Sequence, residues 1–268
     1  MSAAIQPKSD EKIHGDVGTW KQGRVQMVEI RRPPNNFFDT DLINWIADAY
    51  DDADADDEIR AVVLCAAGKH FCSGADFARR AISETTSGRG GQHLYKHASR
   101  MMSNKKPVVA AIQGAAIGGG LGVAMTADFR VTCEEARFSA NFTRMSYHPG
   151  FGLTCTLPRL VGAQQAALLF YTGRRVPGDE AVRLGMAEQL VPLAEVRNAA
   201  IAMAEDIAGS GPLALVSTRA TMRRGLVDAF ETATERELTE QDWMSRTADF
   251  KEGTKAMGER RAPVFTGK

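Results

Sequence analysis

Two glycine-bearing segments hold the chemistry this 268-residue chain suggests first: Phe71-Cys72-Ser73-Gly74-Ala75-Asp76-Phe77 and Gly114-Ala115-Ala116-Ile117-Gly118-Gly119-Gly120. Each follows, directly or within a few residues, a short apolar run, Ala61-Val62-Val63-Leu64-Cys65 or Pro107-Val108-Val109-Ala110-Ala111-Ile112. Each leads into a segment that can be helical. A strand-to-helix turn leaves backbone N–H groups unpaired at the helix start. Two such turns aimed at one point would make an oxyanion hole for a polarised carbonyl. A thioester or similar acyl compound is therefore the first substrate class to consider.

Competing uses of the glycines are weaker. The dinucleotide fingerprint fails, because Gly118-Gly119-Gly120-Leu121-Gly122-Val123 puts valine in its last slot, and no Gly-Lys-Ser/Thr follows to make a phosphate loop. Most glycine-rich turns only satisfy backbone geometry, so the residues alone leave that reading open. Among side chains, His93 and His97 are four apart on one face of an expected helix, a spacing that suits a metal. No third ligand is evident, and a solvated helix face is the competing reading. His148, in Tyr147-His148-Pro149-Gly150, is a proton-transfer candidate or a hydrogen-bonded structural residue. Asp76 reads as a helix cap rather than a reacting group.

The elements that must position these residues follow from periodicity. Val17–Trp20 and Arg24–Ile30 pair as strands around Gln22-Gly23, although Met27-Val28 breaks the alternation. Asp39 or Thr40 caps a helix through about Ala53, with Leu42, Ile46, Ala49 and Ala53 on one face. A strand over 61–65 feeds the first turn. The polar, glycine-containing stretch 78–100 suggests a mobile loop before a helix over 92–103. Gly120–Ala127 reads as a helix and Phe129–Thr132 as a strand. Helical patterns follow at 163–171, 178–184, 195–208, 212–227 and 229–249. Strands alternating with helices, then helices alone, imply an α/β core with a helical C-terminal subdomain.

Bulk properties narrow the partners. Lys+Arg and Asp+Glu balance at 33 each, so no global field recruits nucleic acid or an acidic membrane. Cys65, Cys72, Cys133 and Cys155 show no paired CxxC spacing, which favours reduced thiols in a cytoplasmic enzyme over a zinc site. No signal peptide opens the chain, and residues 1–16 read as a flexible tail. Pro107 to Ala127 carries no charge over a length that could span a bilayer, but its five glycines, its proline and Gln113 favour a buried strand, a turn and a helix.

In its two glycine segments the chain resembles the crotonase (enoyl-CoA hydratase/isomerase) superfamily, and the resemblance runs from about Val17 to Lys268. Arg32-Pro33, Leu157-Pro158-Arg159-Leu160-Val161-Gly162, Thr172-Gly173-Arg174-Arg175 and the ending Arg260-Arg261-Ala262-Pro263-Val264-Phe265-Thr266-Gly267-Lys268 match in order and spacing. The resemblance implies a spiral core of ββα turns over 17–194. It implies a helical subdomain over 195–268 that packs homotrimers, which commonly pair into hexamers. It places the oxyanion-hole N–H groups at Ala75 and Gly119. Ala75, Asp76, Phe77, Ala78 and Gly118 would lie along the pantetheine of an acyl-CoA, with Arg32 near its phosphate end. Phe265 and Lys268 would reach the adenine and phosphates, often of a neighbouring subunit. Coenzyme A enters as part of the substrate, and no separate cofactor or metal is implied.

The same resemblance exposes departures. The two glutamates of a typical hydratase fall at Gly122 and Phe142, and the extra aspartate of the dienoyl isomerases falls at Gly150. Neither glycine nor phenylalanine exchanges protons. The expectation is an enzyme that stabilises a thioester enolate with other acid–base groups, for decarboxylation, C–C cleavage, hydrolysis, dehalogenation or isomerisation of an acyl-CoA. His148 and Tyr147 border the family's acyl pocket, some family decarboxylases carry a tyrosine nearby, and a helix near His93 and His97 supplies a histidine in its dehalogenases. The alternatives are a non-catalytic acyl-CoA sensor or carrier and a weak enoyl-CoA hydratase/isomerase.

Overall fold

The computed structural model describes residues 10–76 and 93–268. Seven strands form the main sheet: β1 (Lys12–His14), β2 (Val17–Gln22), β3 (Val25–Ile30), β4 (Ala61–Ala66), β5 (Val108–Ile112), β7 (Phe129–Thr132) and β10 (Gln189–Leu190), in that spatial order. β1–β2 and β2–β3 pair antiparallel, and β3, β4, β5, β7 and β10 run parallel. The β2–β3 hairpin turns at Gly23, whose φ of 57° is left-handed and costs glycine least. Every residue of β3, β4 and β5 is buried. A strand covered on both faces needs no polar side, which is why Met27-Val28 in β3 breaks the alternation.

The helices are α1 (Thr40–Ala55), α2 (Leu94–Ser103), α3 (Gly119–Thr126), α4 (Leu153–Val161), α5 (Ala163–Thr172), α6 (Gly178–Arg183), α7 (Val196–Ala208), α8 (Pro212–Met222), α9 (Leu226–Met244) and α10 (Ala248–Gly258). Asp39 caps α1 by accepting from the Leu42 N–H at 2.9 Å. α7 covers β4 and β5, and α2 packs between α1 and α9. The uncharged stretch after Pro107 is divided among β5, the short strand Ala115–Ile117 and α3, and no single helix among the described residues is long and apolar enough to cross a membrane.

The structure corrects four expectations. Lys12–His14 are not tail but an edge strand, paired with Thr19, Gly18 and Val17. A second sheet, β6 (Ala115–Ile117), β8 (Arg137–Ser139) and β9 (Val176–Pro177), is built from strands too short to leave a periodic signal. α4 is hidden in sequence by Pro158, which sits inside it. The two long C-terminal patterns are cut earlier: α8 ends before Gly225, which turns at φ 73°, and Thr247 starts α10 by accepting from the Phe250 N–H at 3.1 Å. The expected loop at 78–92 lies outside the described residues.

Candidate active site

The two glycine segments lie side by side. The first is clamped by bridges from Cys72 to Ala116 and from Ala75 to Phe38. Phe38 N–H donates to Gly74 O at 3.0 Å, Asp76 N–H to Phe38 O at 2.8 Å, and Ile117 N–H to Cys72 O at 3.0 Å. Those bonds skip the Ala75 N–H, which has no acceptor among the described residues. In the second segment Gly118 turns at φ 56° and ψ −124°, and its N–H donates to Ser139 O at 2.8 Å. Gly119 then opens α3, so its N–H is one of the donors a helix start leaves unpaired. A Cβ at Gly120 would lie 2.2 Å from Cys72 O, so only glycine lets the turns approach this closely. Both Ala75 and Gly119 line one cavity of about 460 Å³, a size that suits a small ligand.

The cavity wall is largely aromatic: Phe37, Phe38, Tyr95, Phe142, Tyr147 and Phe151. Phe38 and Phe151 meet edge-on at 5.4 Å between centroids, and Tyr95 meets Phe151 at 6.4 Å. Phe151 holds a φ of 61°, an unfavourable backbone for so bulky a residue. Gly150 and Gly152 flank it, and its own Cβ sits 2.5 Å from where a Cβ of Gly122 would be. Phe151 therefore occupies the space a side chain at Gly122 would need. Phe142 is 6 % exposed and faces the same cavity, as does Gly150. Among the described lining residues the titratable groups are Asp76, Tyr95 and Tyr147, with no glutamate and no histidine.

That lining decides the fate of the candidate side chains. Tyr147 faces the cavity, with its ring 4.5 Å from that of Phe250. His148 does not: its Nδ1 lies 2.8 Å from Pro149 O, and its carbonyl accepts from Gln241, so the chain turns the ring away. His93 is the cap of α2, taking the Tyr95 N–H on Nδ1 at 3.2 Å. His97 sits toward α1, where burial first and Arg100 second depress its pKa while Asp48 and Asp41 oppose them. The two histidines thus have separate structural settings, and no metal-holding cluster occurs among the described residues.

Arg32 departs from expectation as well. Its guanidinium is paired with Asp16 at 2.6 Å and Asp39 at 2.8 Å, and it borders neither this cavity nor the adjoining cleft. Asp76 lines the cavity as Ala75 does, while Phe77 and Ala78 lie outside the described residues. Phe265 is 41 % exposed, and the tail is pinned when Asp249 accepts from Thr266 and Gly267 N–H, both at 2.7 Å. Lys268 borders a small cleft beside Tyr147 rather than the cavity.

Further residues, most of them outside the sequence motifs, complete the site. A second cleft of about 880 Å³ shares Phe37, Ser73, Ile117, Asn141 and Met257 with the first. Lys69, Arg137, Arg175 and Arg197 line it with Glu135. Arg197 is paired with the buried Glu29 at 2.6 Å, and Lys69, Arg137 and Arg175 still outnumber the acid, so it favours an anion although the whole chain is neutral. At another wall of the cavity Tyr95 Oη donates to Gln241 Oε1 at 2.8 Å. These groups are scattered from 37 to 257, and no local spacing announces them.

One turn before Gln241, Glu237 is fully buried. It accepts from the Gly152 N–H at 2.7 Å, the Thr154 N–H at 3.0 Å and the Thr154 hydroxyl at 2.6 Å, and so caps α4. Burial pushes its pKa from 4.5 up to about 7, against the pull of those donors. A carboxyl raised in this way binds its proton more tightly in the folded state. Its contribution to stability is therefore full below about pH 4.5 and is lost as pH rises through about 7, by on the order of 3 kcal/mol. In urea melts at several pH values, the wild type is expected to fall over that window relative to Glu237→Gln. A constant difference between the two would contradict this assignment.

Comparison with known proteins agrees with this geometry. The family model described as enoyl-CoA hydratase/isomerase matches residues 21–268. A short-chain-enoyl-CoA hydratase of Clostridium acetobutylicum is 33 % identical over 80 % of this chain and 83 % of its own length. A protein of Thermus thermophilus named as a putative enoyl-CoA hydratase is 33 % identical over 91 % of this chain and 98 % of its own. The crystal structure of an enoyl-CoA hydratase/isomerase from Pseudoalteromonas atlantica superposes with a TM-score of 0.85 at 26 % identity, covering 94 % of this chain and all of that one. With adjacent glycine turns, a parallel sheet and a helical C-terminal region in place, the chain belongs to the enoyl-CoA hydratase/isomerase family, within the crotonase superfamily.

Proposed function

We propose that the protein binds an acyl-CoA thioester, polarises its carbonyl with the N–H groups of Ala75 and Gly119, and stabilises the enolate formed beside it. The observation that carries this reading is that Ala75 and Gly119 line one cavity and that neither N–H has a protein acceptor among the described residues. The relatives' and family's names favour enoyl-CoA hydration or isomerisation over the decarboxylation, cleavage and hydrolysis also expected from the sequence, and a lining without glutamates favours a slow rate. A second reading, an enolate reaction other than hydration, is favoured by one specific feature: the described lining offers Asp76, Tyr95 and Tyr147 but no glutamate pair. Coenzyme A is part of the substrate and no further cofactor is called for. The basic cleft suits the phosphates of that carrier.

A homotrimer or a pair of trimers in the cytoplasm is the setting this reading implies. Leu168 and Tyr171 on α5, and Leu213 and Met222 on α8, are exposed apolar groups that such an assembly could cover. All four cysteines are free, as a reducing compartment would keep them. Incubation with a panel of acyl-CoA esters, following mass change and binding together, tests the function. Turnover of an enoyl ester supports hydration or isomerisation, and turnover of another ester supports the second reading. Tight binding with none turned over supports a sensor or carrier, and no binding contradicts every version.

A further inference from the structure

Resting on the acyl-CoA reading, we propose that Tyr95 and Gln241 form a specificity site for a hydroxyl or carbonyl group at the far end of a flat, aromatic-sized acyl group. The cavity that begins at Ala75 and Gly119 continues past Phe38, which lies 2.4 Å from where a Cβ of Gly119 would be. Phe38, which abuts Gly119, meets Phe151, and Phe151 meets Tyr95, so these rings form one continuous wall from the Gly119 turn to Tyr95. Aromatic rings take further rings edge-on or offset, so an aryl guest suits the space beside them. Met145, Met257 and Ile117 extend the apolar lining.

The wall changes character at Tyr95. Tyr95 and Gln241 are 8 % and 4 % exposed, and both line the cavity. They reach it because Gly150 has no side chain: a Cβ there would lie 2.3 Å from both Tyr95 Oη and Gln241 Nε2. The orientation of the amide is fixed from both sides. Gln241 Oε1 accepts from Tyr95, and Nε2 donates to His148 O at 3.0 Å. A primary amide carries two N–H donors, and no second acceptor for Gln241 Nε2 occurs among the described residues. The remaining N–H is a donor at a wall shared with Phe151 and Leu94, in a cavity whose other polar side chains are Ser73, Asp76, Asn141, Tyr147 and Thr254. Away from bulk water its pairing with a ligand oxygen carries more weight. An acyl group ending in a methyl or phenyl hydrogen would desolvate that donor without replacing its partner.

Three saturated esters, which cannot be hydrated, test the site by calorimetry: butanoyl-CoA, 3-phenylpropanoyl-CoA and 3-(4-hydroxyphenyl)propanoyl-CoA. The hydroxylated ester is expected to bind the wild type about tenfold or more tightly than the phenyl ester. That ratio is expected to collapse toward one in Gln241→Leu and to shrink in Tyr95→Phe, which frees the amide oxygen. Equal affinity of the two aryl esters for the wild type overturns the inference while leaving the acyl-CoA reading intact. A preference that survives in both variants overturns it too. Failure of all three esters to bind sinks the acyl-CoA reading itself. The wild-type comparison stands even where a variant fails to fold.

Discussion

Crotonyl-CoA hydration by this protein is expected to run at least about a thousand-fold below that of a hydratase with two catalytic glutamates. General acid and general base each typically contribute 10²–10⁴, and the described cavity holds no glutamate or histidine to serve as either. The expected deficit follows from the packing. Phe151 fills the space beside Gly122, and Phe142 presents a ring to the cavity. Introducing one carboxylate through Gly122→Glu would have to displace Phe151, so that single change is expected to lower stability without raising the rate. The double change Phe142→Glu with Phe151→Gly, added to Gly122→Glu, makes the room and is the variant in which hydration should rise. The check is the loss of the enoyl thioester absorbance under initial-rate conditions. Near-normal hydration by the wild type would show that Asp76, or a group outside the described residues, moves protons as well as a glutamate pair.

Gly119→Pro is expected to lower the rate on the enzyme's best substrate by about 100- to 1,000-fold, the usual effect of removing one oxyanion donor. Proline is tolerated in the first turn of a helix; it deletes the N–H and sets its Cδ where the hydrogen was. Gly119 lies outside the left-handed region that would forbid the ring. The obstacle is Phe38, whose ring tip is 2.4 Å from where a Cβ on Gly119 would lie, so the comparison is best made in a Phe38→Ala background. There, Gly119→Ala keeps the donor and Gly119→Pro deletes it. A large drop in kcat for the proline variant with similar thioester affinity supports a donor that acts on developing charge. Equal rates in the two variants would show that the Gly119 N–H does not touch the reacting carbonyl.

The parts of this fold that were legible in sequence are those with a strong local signal. β4, β5, α1 and α3 follow apolar runs, a capping aspartate and the glycine turns, and each lies within a few residues of its expected place. The second sheet was not legible, because strands of two or three residues leave no period, and its pairing joins segments far apart in the chain. The same reason explains the site. Adjacent glycines at 118–120 are visible in sequence, but the pairing that brings Cys72 beside Ala116 is purely tertiary. His148 looked reactive because its neighbours Tyr147 and Gly150 do face the cavity, yet the turn between them points its ring elsewhere. Arg32 looked available until Asp16 and Asp39 closed on it. Tyr95 and Gln241 are 146 residues apart, and only the packing of α2 against α9 makes them a pair.

The central claim is that Ala75 and Gly119 hold a thioester carbonyl between two backbone donors. Isotope-edited infrared difference spectroscopy with butanoyl-CoA labelled with ¹³C at the carbonyl measures this directly, independent of any turnover. On binding, the carbonyl stretch is expected to move to lower wavenumber, because two hydrogen bonds weaken the C=O bond, and part of that shift is expected to disappear in Gly119→Pro with Phe38→Ala. A bound ester whose carbonyl band stays where it is in free solution would contradict the account.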